Sequence, residues 1–388
     1  MKKLLSILAI TLLALSGLTA CSTTPKTIKI GLNLELTGEV SVYGVPEKLA
    51  AQLAVDEINA AGGINGKDVE LVIYDNAYDS AKAVENAQKL VEDGVVAMLG
   101  SATSAPTLAI GPVALENQVL TITPSGSNAK VTMNGDVVNP YVFRACFIDP
   151  FQGLVLANFA YDNLSAKKAV VMGSNSSDYA KDLAKIFGDQ FTANGGEVLQ
   201  VGGDVSWYAD ADTDFSAQLT SIAALGDFDV LFVADYAARA GLIIGQARAI
   251  PGLENVAIIG PDGFESPSLN DLAGGAANVN NVYFSTHFST LLTDTKVQTF
   301  IDNYTAAAGE APSALSALAY DSMYMLFAAI KTANSTDPVK VRDALEATTA
   351  FAGVSGTISF DEFHNPIKSA IVVKLTDGLQ TEAIVVNP

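Results

Sequence analysis

Two short stretches place small hydroxyl side chains where they could grip an anion. Gly100-Ser-Ala-Thr-Ser-Ala contains Ser104, and Pro124-Ser-Gly-Ser-Asn contains Ser125, Gly126 and Ser127. Pro106 suits the first turn of a helix, where its missing N–H costs nothing, so Ser104 falls at or beside the N-cap. A helix N-terminus offers free N–H groups and a partial positive charge to an anion. Neither stretch holds a nucleophile–base pair or a lysine suited to phosphate. The pattern predicts a grip on a small carboxylate without reaction. Each serine also has a second reading, as a helix or turn cap.

The elements that must hold these stretches are legible around them. Residues 95–99 and 119–123 are short apolar runs, as in strands buried on both faces. Two consecutive parallel strands would then empty into hydroxyl-rich loops at one sheet edge, where open α/β sheets bind ligands. Residues 27–36 alternate apolar and polar, which predicts a strand with one wetter face. Residues 37–44 read as a Gly-containing loop carrying Tyr43, with Pro46 opening a helix that Gly62-Gly63 closes. Further strand–helix units follow, and their strands run into loops that hold Tyr179, Asp235-Tyr236 and Pro261-Asp262-Gly263. The repeat predicts α/β architecture with two doubly wound parallel sheets and right-handed crossovers. After residue 281 the rhythm changes to helices near 295–308, 313–334 and 338–348, a strand at 356–360, and a hairpin about Asp377-Gly378. The chain there returns to finish earlier sheets.

Composition narrows the function. A chain of 388 residues is more than one core usually organises. With 49% hydrophobic and 16% charged residues it is not disordered. A net charge of -20 disfavours nucleic acid and anionic lipid surfaces as partners. Met1-Lys-Lys, the apolar run 4–15 and Leu18-Thr-Ala-Cys21 form an export signal, residues 1–20, too short to span a membrane. The last four residues resemble a bacterial lipobox. That implies cleavage before Cys21, a lipid on its sulfur and a tether over 21–26, so the membrane is met through the anchor alone. Cys146 then has no partner and reads as a small buried apolar residue.

Other signals carry less. Asp210, Asp212 and Asp214 lack the glycine and glutamate of a calcium loop, so helix capping is the reading, and no metal is expected. His287 and His364 stand alone in sequence, each a satisfied or exposed histidine. There is no G-x-G-x-x-G, P-loop or nucleophile elbow, so neither a cofactor nor an enzyme is expected. Residues 317–330 read as a core helix.

Several segments together resemble one family. They are Leu36-Thr-Gly, Ala54-Val-Asp-Glu-Ile-Asn-Ala-Ala-Gly-Gly-Ile-Asn-Gly-Lys, Leu71-Val-Ile-Tyr-Asp, Ala87-Gln-Lys-Leu-Val, Ile122-Thr-Pro-Ser, Asp212-Thr-Asp-Phe-Ser and Tyr320-Asp. The chain is similar to the substrate-binding lipoproteins of branched-chain (hydrophobic) amino-acid ABC transporters, type I periplasmic binding proteins of the Leu/Ile/Val-binding kind. The resemblance implies two lobes joined by three crossing strands, near 144–147, 283–287 and 356–360, with a ligand cleft between them. One lobe would comprise 27–145 plus 287–355, the other 146–286 plus 356–388. It also implies roles. Ser104 would bond the ligand carboxylate, and Ser125, Gly126 and Ser127 would contact its carboxylate and ammonium. Tyr179 would close over the ligand, Asp262 would pair with the ammonium, and Tyr43 and Tyr236 would line the cleft. Relatives often carry threonine at Ser127 and glutamate at Asp262. A zwitterion does require donors and an acid opposed across a gap. The implied function is capture of a hydrophobic L-amino acid by lobe closure and delivery to ABC permease subunits, by a monomer outside the cytoplasm. Short amides, urea or aromatic acids as ligands, or a sensing subunit with the same cleft, are the alternatives.

Overall fold

Strand β1 (Thr27–Leu34) opens the described part of the chain, residues 27–386 of a computed structural model. The leader, Cys21 and the tether lie outside those residues. Ile28, Ile30, Leu32 and Leu34 are buried, as the alternation predicts, but the other face is half-exposed only at Thr27 and Lys29 and buried from Gly31 on. β1 runs in the middle of its sheet, and helices cover both sides. Asn33 and Glu35 are fully buried, and Asn33 Nδ2 donates to Ala83 O at 2.8 Å. At Gly31 a Cβ would come within 2.8 Å of Leu90, so the glycine lets a helix lie against the strand.

Helix α1 (Ser41–Ala60) starts a full turn before Pro46. Ser41 Oγ donates to Gly38 O at 2.7 Å and fixes the start. Pro46 forgoes one backbone bond near the helix end, a tolerable loss. Tyr43 therefore sits in the first turn of α1 rather than on a loop. There follow β2 (Asp68–Asp75), α2 (Ser80–Glu92), β3 (Ala97–Leu99), α3 (Ser104–Asn117) and β4 (Leu120–Thr123). Asp79 caps α2, its side chain accepting from Ala81 N and Lys82 N. A small hairpin, β5 (Met133–Asn134) and β6 (Val137–Val138), precedes β7 (Val142–Arg144). The first sheet is parallel in the order β2-β1-β3-β4-β7.

The second half begins with α4 (Asp149–Asn158), β8 (Lys168–Ser174), α5 (Asp178–Ala193), β9 (Glu197–Leu199) and β10 (Ser206–Tyr208). It continues through α6 (Ser216–Ala223), β11 (Val230–Ala234), α7 (Ala237–Arg248), β12 (Ala257–Gly260), α8 (Leu269–Leu272) and β13 (Val282–Thr286). Then α9 (Thr295–Ala308), α10 (Ala314–Ala333) and α11 (Pro338–Glu346) return to the first sheet. Tyr320 and Tyr324 of α10 both donate to Glu57 Oε2 of α1, at 2.5 and 2.7 Å. The remaining α10 side chains at 317–330, the exposed Ala328 excepted, are core.

Strands β14 (Phe351–Ala352), β15 (Thr357–Phe360) and β16 (Pro366–Ile367) form a small antiparallel sheet. Finally β17 (Ala370–Thr376) and β18 (Leu379–Val386) turn at Asp377-Gly378, both at positive φ (48° and 71°), as a tight hairpin requires. They extend the second sheet, ordered β10-β8-β11-β12-β13-β17-β18, with β17 antiparallel to β13. The out-of-rhythm tail thus completes a sheet begun two hundred residues earlier. No described helix is long and apolar enough to cross a membrane.

Candidate functional site

The hydroxyl loops leave β3 and β4 side by side. Ser104 is the first residue of α3, and Thr103 is its N-cap. Ser104 Oγ accepts from Asn128 N at 3.1 Å, which ties one loop to the other. The donors just outside α3 are already used within the protein. Ala102 N gives 2.9 Å to Glu35 Oε2, while Thr103 N and Oγ1 give 3.1 and 2.5 Å to Glu35 Oε1. Burial pushes the Glu35 carboxyl up, and these three donors pull against that. In the second loop, Ser125 Oγ lies 2.5 Å from Glu47 Oε1 and 2.7 Å from Ala102 O. Gly126 N donates to Thr123 Oγ1 at 2.8 Å, and a Cβ there would meet the same oxygen at 2.7 Å. The fully buried Arg144 holds the loop from below, donating to Gly126 O at 3.0 Å and Asn128 O at 2.9 Å.

The opposing side comes from three strand ends. Tyr179 follows β8, Tyr236 follows β11 and Asp262 follows β12. Asp262 Oδ1 accepts from the Tyr179 hydroxyl at 2.8 Å, and Oδ2 lies 3.1 Å from His287 Nε2. Burial lowers His287 to about 4, so its imidazole is neutral at neutral pH and Nε2–H serves Asp262. Gln152 Oε1 accepts from Asp262 N at 3.2 Å and from Ser285 Oγ at 2.9 Å, joining α4, β12 and β13 behind the acid. Burial, with Asp262 and Asp149 nearby, holds the Tyr179 phenol well above its usual range, so it stays a donor. Tyr179 and Tyr236 stack at 4.8 Å between centroids and 5° between planes. At Gly263 a Cβ would sit 2.7 Å from the Tyr179 hydroxyl, which is why that position has no side chain.

These two sets close on one cavity. Six residues singled out from sequence line it: Tyr43, Ser125, Ser127, Tyr179, Tyr236 and Asp262. Ser104 and Gly126 are not on its wall; they build the loops behind it. Ala102, Thr103, Gly263 and Leu315 also line it and escaped the sequence reading. The Tyr43 hydroxyl donates to Gly263 O at 2.7 Å and accepts from Ala237 N at 2.9 Å, so it bolts α1 to the opposite side. Glu39 to Arg239 (3.3 Å) and Asn128 Nδ2 to Asp182 Oδ2 (3.0 Å) span the same gap. A larger recess, about 780 Å³, lies at the edge of the gap. Its half-buried acid, Glu265, is spent on Ala314 N at 2.7 Å and Thr286 Oγ1 at 2.5 Å.

His287 and Gln152 are the functional positions least visible in sequence. One is an isolated histidine, the other a helix glutamine, and both reach Asp262 only through the fold. The acidic trio also separates: Asp214 accepts from Ser216 N at the start of α6, while Asp210 pairs with Ser174 Oγ and Arg239.

The model of the periplasmic binding protein family matches residues 27–380. The chain belongs to that family. The leucine-, isoleucine-, valine-, threonine- and alanine-binding protein of Pseudomonas aeruginosa is 30% identical over 351 residues, 90% of each chain. Among solved structures, the branched-chain amino acid transporter substrate-binding protein LivJ of Streptococcus pneumoniae, in complex with isoleucine, is 38% identical. It has a TM-score of 0.86 and matches over 93% of this chain and 100% of that one. The leucine-binding protein LivK of Thermotoga maritima is 34% identical with a TM-score of 0.84, over 93% and 99%. The fold is thus that of type I periplasmic binding proteins, with two α/β lobes and a cleft between them. The family binds solutes outside the cytoplasm and is not a family of enzymes.

Proposed function

We propose that this periplasmic binding protein captures a hydrophobic or branched-chain L-amino acid by closing its lobes and delivers it to an ABC permease. The observation that carries the reading is the placement of Asp262. It is buried and, among the described residues, its carboxylate receives only neutral donors, from Tyr179 and His287, so its charge is left for a cation. Across the cavity stand Ser127, Thr103 and Ser125, the last two with their hydroxyl protons already given to Glu35 and Ala102, and Leu315 as an apolar wall. An α-amino acid with an aliphatic side chain matches that set of opposed groups. In this reading Ser127 serves the carboxylate, with Ser104 holding the loop behind it, Asp262 serves the ammonium, and the tyrosines cover the ligand. The lobes are 27–145 plus 287–355 and 146–286 plus 356–388. Cys21 is lipidated after removal of 1–20, and the protein works as a monomer on the outer face of the membrane.

A thermal-shift screen tests the ligand. Leucine, isoleucine and valine are expected to raise the melting temperature through selective binding to the folded state, whereas benzoate, urea and short amides leave it unchanged. A shift with an aromatic acid or amide alone would overturn the proposal.

A further inference from the structure

The hydroxyl of Ser125 has one proton and two close oxygen neighbours, Glu47 Oε1 at 2.5 Å and Ala102 O at 2.7 Å. A backbone carbonyl has no proton to give, so the contact with Ala102 is a hydrogen bond only if Ser125 donates it. The contact with Glu47 then needs its proton on the glutamate. The surroundings of Glu47 agree. It is fully buried on α1, its Oε2 has no partner, and no described lysine or arginine pairs with it. An ionised oxygen left bare in such a place would cost several kcal/mol. A neutral acid leaves only a carbonyl oxygen unsatisfied, a smaller cost.

Glu35 at the end of β1 is the neighbouring acid, and it takes the three donors of the α3 entrance. Two interacting carboxyls favour one charge over two, and the donors place that charge on Glu35. Burial, reinforced by Glu35 and opposed by Ser125, pushes the Glu47 carboxyl well above its usual range. The other titratable groups around it are phenols: Tyr43 one turn back on α1, and Tyr304 on α9, whose hydroxyl lies 3.5 Å from Pro46 O.

We propose that Glu47 is a positioning residue: as a neutral acid it donates to Ser125 Oγ, turns that hydroxyl toward Ala102 O, and leaves Ser125 able only to accept from a ligand. Ser125 lines the cavity. A ligand ammonium is a donor and a ligand carboxylate is not, so Ser125 joins Asp262 in reading the amine end. This step rests on the amino-acid reading above. The proton assignment does not, because it follows from contacts within the protein.

Two measurements test it. Infrared spectra of the full chain carrying isotope-labelled glutamate are compared for wild type and Glu47→Gln at neutral pH. A protonated-carboxyl C=O band present in wild type and lost in the variant is expected; a wild type without that band overturns the assignment, with no ligand involved. Calorimetric titration with L-leucine then compares Glu47→Gln, whose amide still donates, with Glu47→Leu, which cannot. Glu47→Gln is expected within about threefold of wild type and Glu47→Leu on the order of tenfold weaker. Equal loss in both variants overturns the positioning role. A wild type that shows the band but ignores L-leucine sinks the amino-acid reading and leaves the proton on Glu47.

Discussion

Asp235 and Asp262 follow neighbouring strands of the same sheet and are both buried, yet they are held in opposite ways. Asp235 meets Arg239 through both oxygens, at 2.6 and 2.8 Å, and takes the Tyr208 hydroxyl at 2.8 Å. Its charge is neutralised inside the protein, and the pair holds the start of α7. Asp262 has a phenol and a neutral imidazole but, among the described residues, no cation. A buried carboxylate without a counter-charge is costly, and that cost is removed when a ligand brings the cation. The first lobe shows the same division. Glu35 collects three donors and closes the α3 entrance, whereas Glu47 has only Ser125. In each lobe one acid is satisfied by structure and another is left to the site.

The sharpest way to break the comparison is to remove the two aspartates in turn. Asp262→Ala is expected to weaken L-leucine by roughly 3–5 kcal/mol, read by calorimetry, with little change in unliganded melting. Asp235→Ala is expected to lower the unliganded melting temperature, because Arg239 is left buried without its partner. If the two variants behaved alike, the division between structural and ligand-directed acids would be wrong.

A pH experiment addresses a third aspartate, at the start of α4. Asp149 is fully buried with Oδ2 unpartnered, and burial, with Asp262 nearby, raises it to about 7 from 3.8. The folded protein therefore keeps a proton that the unfolded chain releases. Stability from this group is present below 3.8 and is lost as pH rises toward about 7. The slope is at most about 1.4 kcal/mol per pH unit. Asp149→Asn is expected to flatten that fall in denaturant titrations across the window, and an unchanged slope would count against a buried neutral carboxyl.

Tyr43→Phe removes the hydroxyl that spans the gap. A loss of about 1–2 kcal/mol in L-leucine affinity is expected from two forfeited hydrogen bonds, with small-angle scattering reporting a more open unliganded protein. Ser127→Ala is the mildest test, at about 1 kcal/mol or less. A larger loss there than at Asp262 would reverse the ranking of the two half-sites.

The hydroxyl loops, the strand ends and the returning tail are all legible in the chain, because each is local. Periodicity marks the strands, Pro106 marks the start of α3, and Asp377-Gly378 marks the hairpin. Two expectations give way for one reason. Neighbours in sequence do not show that α2 buries the later half of the wetter face of β1, nor that the turn at Gly38 draws Tyr43 into a helix. The wall residues Ala102, Thr103 and Gly263 lie in loops legible in the chain but were not told apart from their neighbours there, and Leu315 carried no signal, since an apolar residue looks the same in a core and in a pocket.

Residue order alone determined which chemistry the site could hold: hydroxyls after two strands, an acid and aromatics after three others, and no nucleophile among them. The tertiary structure decided which of those groups are spent and which remain available. Hydrogen-bond capacity is finite, and its use depends on partners far away in the chain. His287 and Gln152 support Asp262, Glu35 takes the helix entrance, and Arg144 fixes the serine loop. None of these pairings is written in spacing, because each joins elements brought together only by packing.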